Sequence, residues 1–125
     1  MEGYSVSIRE CSTELTARER IKLKDTTNAI KLDEAVNGET PLVIRPAAYA
    51  VLDIHNEKSD DKDYLNYIVM DDEGNKYVTG SESFWTSFKE IFDEMKNENE
   101  AYEIEVYKVD SKNYKGKQFL TCSIV

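Results

Sequence analysis

Residues Tyr77–Met95 read YVTGSESFWTSFKEIFDEM, and the fold turns on how this stretch is read. Phe84, Trp85, Phe88, Ile91, Phe92 and Met95 recur with a 3.6-residue period, which predicts one amphipathic helix with an apolar stripe. Lys89, Glu90, Asp93, Glu94 and Lys96 occupy its other side, and Asn97–Glu100 ends it. In front of the helix, Thr79-Gly80-Ser81-Glu82 has the S/T-x-x-E spacing of a capping box.

Working outward, strand signals flank the helix on both sides. Lys76–Thr79 and Tyr64–Met70 are rich in aromatic and β-branched residues, and Asp71–Asn75 (DDEGN) between them is a hairpin turn whose glycine supplies a positive φ. A charged loop, NEKSDDKD, separates this hairpin from an earlier strand beginning at Tyr49. After the helix, YEIEVYKV from Tyr102 and QFLTCSIV from Gln118 predict a second hairpin around the loop DSKNYKGK. The order is strand, strand, strand, helix, strand, strand. A mainly β chain with five strands and one helix between the third and fourth is the order of an OB-fold-like barrel, an architecture that takes oligonucleotides and oligosaccharides on one face and in two loops. The helix is expected to plug one end of it.

Residues 1–46 are read as an N-terminal extension packed on or beside a barrel of residues 47–125, one domain overall. Within the extension, Tyr4, Val6 and Ile8 alternate as in a strand. Ala17–Lys24 fits a helix, but Ile21 and Leu23 also alternate with lysines. Asn37–Pro41 is a turn, and Leu42-Val43-Ile44 is a short apolar run ending at Arg45-Pro46.

The chain has 125 residues and a net charge of −9. The charge is uneven: residues 1–50 carry seven basic and eight acidic side chains, residues 51–125 nine and seventeen. Bulk charge opposes a nucleic-acid role, but phosphate affinity depends on local Lys and Arg. Cys11 and Cys122 form no CxxC and flank no His pair, so neither a zinc site nor any other metal or cofactor is expected. No P-loop, GxGxxG, GxSxG or HExxH is present, and the acidic runs at Asp60-Asp61 and Asp71-Asp72-Glu73 lack the calcium-loop pattern. His55, the sole histidine, has no nucleophile motif or ligand partner near it in sequence. The expectation is a non-enzyme. Without a secretory signal or an 18-residue apolar run, a cytoplasmic protein with reduced thiols and no membrane role is expected.

The loop before the last strand reverses the local sign. Lys108, Lys112, Lys115 and Lys117 stand there against Asp110 alone, interleaved with Tyr107, Tyr114 and Phe119. Ammonium groups neutralise phosphates and aromatic faces stack bases, so this is the first candidate site. An edge strand blunted by lysines explains the same residues structurally. Tyr67 and Tyr77 are further candidate stacking platforms, against ordinary cross-strand packing. Arg18, Arg20, Lys22 and Lys24, spaced by two, would line one edge of an extended arm, or spread around a helix. The acids Glu90, Asp93, Glu94, Glu98, Glu100, Glu103 and Glu105 read as a solvated face, or as a phosphate-like row that docks on a basic protein.

The strand–TGS–helix junction (Val78, Thr79, Gly80, Ser81) and Ser111-Lys112-Asn113-Tyr114-Lys115-Gly116-Lys117 before the final strand resemble small single-stranded DNA-binding OB-fold proteins of bacteriophages and mobile elements of Gram-positive bacteria. The resemblance covers roughly residues 51–125. It implies single-stranded DNA binding with low sequence specificity, in phage or mobile-element replication or recombination, through the lysine- and tyrosine-bearing segment. RNA, a second copy of the chain, and a replication or host protein are the further partner classes. The chain departs from the best-known bacterial versions by ending apolar, at Ser123-Ile124-Val125, where those carry an acidic tail. The competing readings are an acidic phage or plasmid protein that inhibits a host protein as a nucleic-acid mimic, and a scaffold that self-associates through a barrel edge.

Overall fold

The computed structural model describes residues 3–36, 40–98, 100–111 and 116–125. It is mainly β. Among the described residues, eight strands run β1 (Tyr4–Cys11), β2 (Ile30–Lys31), β3 (Leu42–Ile44), β4 (Pro46–Asn56), β5 (Asp63–Asp71), β6 (Lys76–Thr79), β7 (Ile104–Asp110) and β8 (Gln118–Ile124), with three helices, α1 (Ala17–Lys24), α2 (Leu32–Ala35) and α3 (Glu82–Met95), between them.

The strands expected from Tyr49 onward all form, with the long helix between β6 and β7. Their pairing is not that of one closed sheet. They divide into two open sheets, ordered β1-β4-β5-β6-β2 and β3-β7-β8. The reason lies in the N-terminal segment. β4 already has β1 and β5 as neighbours, and β7 already has β3 and β8. Neither strand keeps a free edge for closure, because segments before residue 46 fill both. The chain also clusters into two compact units, Met1–Ile30 with Ala47–Gly80, and Lys31–Pro46 with Ser81–Val125.

In the first unit, alternation does the sorting. Ala50, Leu52 and Ile54 of β4, Ile68 of β5, Val78 of β6 and Leu23 of α1 form a buried cluster, with Val6, Ile8, Met70 and Tyr64 packed on it. The opposite parity, Tyr49, Val51, Tyr67, Val69, Tyr77 and Thr79, is buried too. Helix α1 resolves the ambiguity of its sequence through a capping box. Thr16 Oγ1 accepts from Glu19 N at 3.2 Å, and the Glu19 carboxylate accepts from Thr16 N at 3.0 Å. Its C-terminal carbonyls are also held: Lys76 Nζ donates to Lys22 O at 2.8 Å and Asp25 O at 2.7 Å.

In the second unit, α3 starts two residues later than the expected cap. Thr79 is buried inside β6, and Ser81 is the N-cap, its hydroxyl accepting from Phe84 N at 3.2 Å. Thr79 is the last residue of β6 and shares the buried parity of Tyr77. Phe84 and Phe88 are fully buried, and Phe88 meets three rings, Phe84 at 5.8 Å, Trp85 at 5.4 Å and Phe92 at 5.7 Å. Ile104, Val106, Leu120 and Cys122 are the buried positions of β7 and β8. Burial pushes the Cys122 thiol up to about 12, so it stays protonated and inert at neutral pH.

Two substitutions rank these features. Phe88→Ala removes a side chain at the centre of the ring stack and is expected to cost about 3–5 kcal/mol. Ser81→Ala removes the cap and a long contact to Leu120 O, and is expected to cost about 1 kcal/mol. Urea unfolding of both variants checks the order; equal losses would show that Phe88 is not the packing centre of α3.

Candidate nucleic-acid interface

The hairpin β7–β8 carries the first candidate site, and its register decides which side chains share a face. Tyr107 pairs with Thr121, Lys108 with Leu120, and Val109 with Phe119. Residues directly opposite in an antiparallel pair lie on the same face, and the face alternates along each strand. One face therefore carries Ile104, Val106 and Lys108 against Ile124, Cys122 and Leu120. The other carries Glu105, Tyr107 and Val109 against Ser123, Thr121 and Phe119, and β3 adds Val43 to it, opposite Glu105.

This second face is open at its loop end. Phe119 is 41% exposed and Val109 37%, and Val43 is 49% exposed. Tyr107 is half-buried, its hydroxyl hydrogen-bonded to Ser123 Oγ, which leans the ring away from Phe119 and along the strand. The hairpin thus presents two rings and a valine on one surface. Val109 was not among the expected site residues. The signal for it was present, since it sits two residues from Tyr107 in an alternating strand.

Next to that surface, the loop ends are tied together. Ser111 N donates to Lys117 O at 2.8 Å, and Gln118 Nε2 donates to Asp110 Oδ1 at 3.1 Å. Gly116 takes a φ of +83°, a region that favours glycine, and delivers the chain to Lys117. Lys117 is exposed. Lys112, Tyr114 and Lys115 lie outside the described residues.

The structure places the remaining expected residues elsewhere. Lys108 is on the first face, and its Nζ donates to Asp33 O in α2 at 2.9 Å, so this cation serves a backbone carbonyl. Tyr67 and Tyr77 are 6% and 7% exposed, so neither offers a ring face for stacking. They share the buried parity with Val69 and Thr79 through the pairs Tyr67–Thr79 and Val69–Tyr77. The Tyr77 hydroxyl is turned to Asp71 Oδ2 at 3.4 Å. Arg18, Arg20, Lys22 and Lys24 are on α1, where a spacing of two is about 200° of rotation. They spread around the helix and form no continuous track, and Arg20 Nη1 donates to Leu15 O at 2.7 Å.

In the acidic run Asp71-Asp72-Glu73, Asp71 has a structural role. Asp71 caps the β5–β6 turn, accepting from Glu73 N, Asn75 N and Asn75 Nδ2. Burial pushes its carboxyl up, but the bonds from Asn75, Glu73 and Tyr77 outweigh that and hold it below the ordinary range. Among the described residues, no group of three His, Cys, Asp or Glu is placed to hold a metal ion. No described helix is long and apolar enough to cross a membrane.

His55 has acquired partners that its sequence neighbourhood did not reveal. Its Nδ1 lies 2.7 Å from Asp63 Oδ1, across the β4–β5 hairpin, and its Nε2 lies 2.6 Å from Glu57 Oε1. The hydrogen bond to Asp63, and then that to Glu57, raise the imidazole above its ordinary 6.5. A raised folded value means that the stabilisation is fully present below 6.5 and is lost as pH rises through the folded value. His55→Asn is therefore expected to destabilise the protein more at about pH 5.5 than at about pH 9. Proton NMR titration of the single imidazole reads the midpoint directly, and a value at or below 6.5 would break the assignment. No family model matches the chain, and neither the curated proteins nor the solved structures contain a match to it.

Proposed function

We propose that this protein binds single-stranded nucleic acid with little sequence preference, and does so on the β7–β8 hairpin. The observation that carries this reading is the shared face: Phe119, Val109 and Tyr107 lie on one side of a hairpin whose loop sequence supplies Lys112, Lys115 and Lys117. Exposed rings accept bases regardless of identity, and lysines on the adjoining loop neutralise phosphates. The succession of β4, β5, β6, α3, β7 and β8 supports an OB-fold-like relationship, in which added edge strands stand where closure would otherwise occur. The resemblance to phage and mobile-element proteins points to DNA replication or recombination as the setting, in the cytoplasm, without catalysis. Tyr67, Tyr77 and Lys108 have no part in this site, and Arg18 to Lys24 do not form a strand clamp.

Anisotropy with labelled oligo-dT across a salt series tests the reading. The logarithm of affinity should fall linearly with the logarithm of salt. The triple change Lys112→Ala/Lys115→Ala/Lys117→Ala should flatten that slope by about two, at roughly 0.7 per phosphate contact on a single strand. Phe119→Ala, and separately Tyr107→Ala, should each weaken binding by about 1–3 kcal/mol without changing the slope. An unchanged slope in the triple variant removes the loop from the site. No binding of oligo-dT or oligo-rU at low salt and micromolar protein removes the function, and favours the acidic, host-protein-binding reading.

A further inference from the structure

The C-terminal half of α3 leaves an apolar groove. Ile91 and Met95 of α3 and Ile124 of β8 line a hollow of about 340 Å³, with Glu90 and Glu94 at its rim. Ile124 is 47% exposed. Neighbouring Asp93 is compensated by Lys89 at 3.3 Å and Lys96 at 3.9 Å. Glu90 and Glu94 have no ion pair or hydrogen-bond partner among the described residues, and they stand four apart on one helix face, where like charges repel. The groove asks for an apolar side chain flanked by cations.

The chain itself carries such an element. On α1, Leu23 is buried, while Ile21, at 71%, is the most exposed large hydrophobic residue described. Ile21 lies about 160° around the helix from Leu23, and Arg18 and Lys24, three residues before and after it, share its outward face. Neither Arg18 nor Lys24 has an ion pair or hydrogen-bond partner through its side chain among the described residues. An isoleucine held outward between two uncompensated cations matches, in chemistry and in sign, a groove between two uncompensated carboxylates. Spacing agrees as well. Arg18 and Lys24 are about 9 Å apart along α1, and Glu90 and Glu94 about 6 Å apart along α3, a difference that long side chains span.

We infer that the protein self-associates by seating Ile21 of α1 in the Ile91–Met95–Ile124 groove of a second copy, with Arg18 and Lys24 meeting Glu90 and Glu94. The contact is small. One isoleucine and two ion pairs fall well short of the roughly 800 Å² per partner of a stable complex, so the association is weak and reversible. Its salt dependence has a shape that simple hydrophobic clumping lacks. Each copy carries −9, and at about 0.01 M salt, with a Debye length of about 30 Å, the copies repel as wholes. At about 0.1 M the length falls to about 10 Å and only the matched patches interact; at about 1 M, near 3 Å, those pairs are screened too. Association should peak between the extremes.

Sedimentation equilibrium of the full chain without nucleic acid, over a concentration and salt series, reads this directly. Ile21→Gln keeps a good helix former and should weaken self-association by about tenfold or more. Glu90→Lys/Glu94→Lys should do the same, as should Arg18→Glu/Lys24→Glu. Mixing those two double variants sets the unaltered α1 of one against the unaltered groove of the other, and the two charge-reversed faces against each other, and should recover association to within about threefold of the parent. Circular dichroism of each variant confirms that these exposed changes leave the fold intact. A monomer at about millimolar protein in 0.1 M salt overturns the inference, as does association unaffected by Ile21→Gln, or two double variants that do not recover on mixing. None of these readings involves oligonucleotide, so their outcome is independent of the nucleic-acid proposal.

Discussion

Strand β8 is the outer strand of its sheet, and an outer strand presents backbone groups that a neighbouring strand would otherwise satisfy. A buried carbonyl without a donor costs roughly 1–3 kcal/mol. Here the serines of α3 meet that need. Ser83 Oγ donates to Leu120 O at 2.6 Å, Ser87 Oγ lies 3.0 Å from Thr121 Oγ1, and the capping Ser81 Oγ approaches Leu120 O at 3.5 Å. Positions 83 and 87 are four apart, so both hydroxyls leave the helix on one side. The residue that starts the helix is thus bound to the strand that the helix shields. This fixes where α3 begins along β8, and it places the helix at the strand's edge while Phe119 and Val109 stay open.

The same edge constraint shapes the other sheet. β1 pairs with β4 from Tyr4–Asn56 to Cys11–Ala50, with a bulge between Ile8 and Glu10 that lets the strand follow the sheet's twist. Arg9 and Asp53 add an exposed ion pair at 3.3 Å across the pair, and the Tyr49 hydroxyl reaches Glu10. An exposed ion pair of this kind contributes little, and Val6 and Ile8 pack on the cluster of Leu52 and Ile54. Residues before 46 are therefore structural parts of both sheets. Without them β4 and β7 would each have a bare edge.

What could be read from the sequence divides along the range of the forces involved. Local periodicity identified α3 from Phe84 to Met95, the five strands from Tyr49 onward and the turn at Gly74, because each depends on neighbours a few residues away. Pairing partners did not follow, since they join segments far apart in sequence, as Leu42–Ile44 with Ile104 to Val106. The Thr16–Glu19 capping box is as legible as any motif in the chain, yet Ile21 and Leu23 alternating with lysines obscured it. The expected cap at Thr79 gave way to Ser81, because Thr79 belongs to β6 and is buried there. Parity also divided the candidate site. It put Tyr107 and Phe119 on one surface, sent Lys108 to the Leu120 face and buried Tyr67 and Tyr77, none of which the residue types themselves reveal.

Charge in this molecule is sorted by element more than its total suggests. The groove on α3 gathers carboxylates around exposed aliphatic carbons. The outer face of α1 gathers cations around Ile21, and the sequence of the β7–β8 loop is rich in lysine. At about 0.1 M salt a charge is felt over about 10 Å, which is the scale of one such patch rather than of the protein. A polyanion approaching from a distance meets a net −9 and gains no long-range steering. In the proposed site, capture would rest on what happens after arrival, when rings and lysines act at close range. In such a site the aromatic residues set how long a strand stays, and the lysines set how steeply that residence depends on salt.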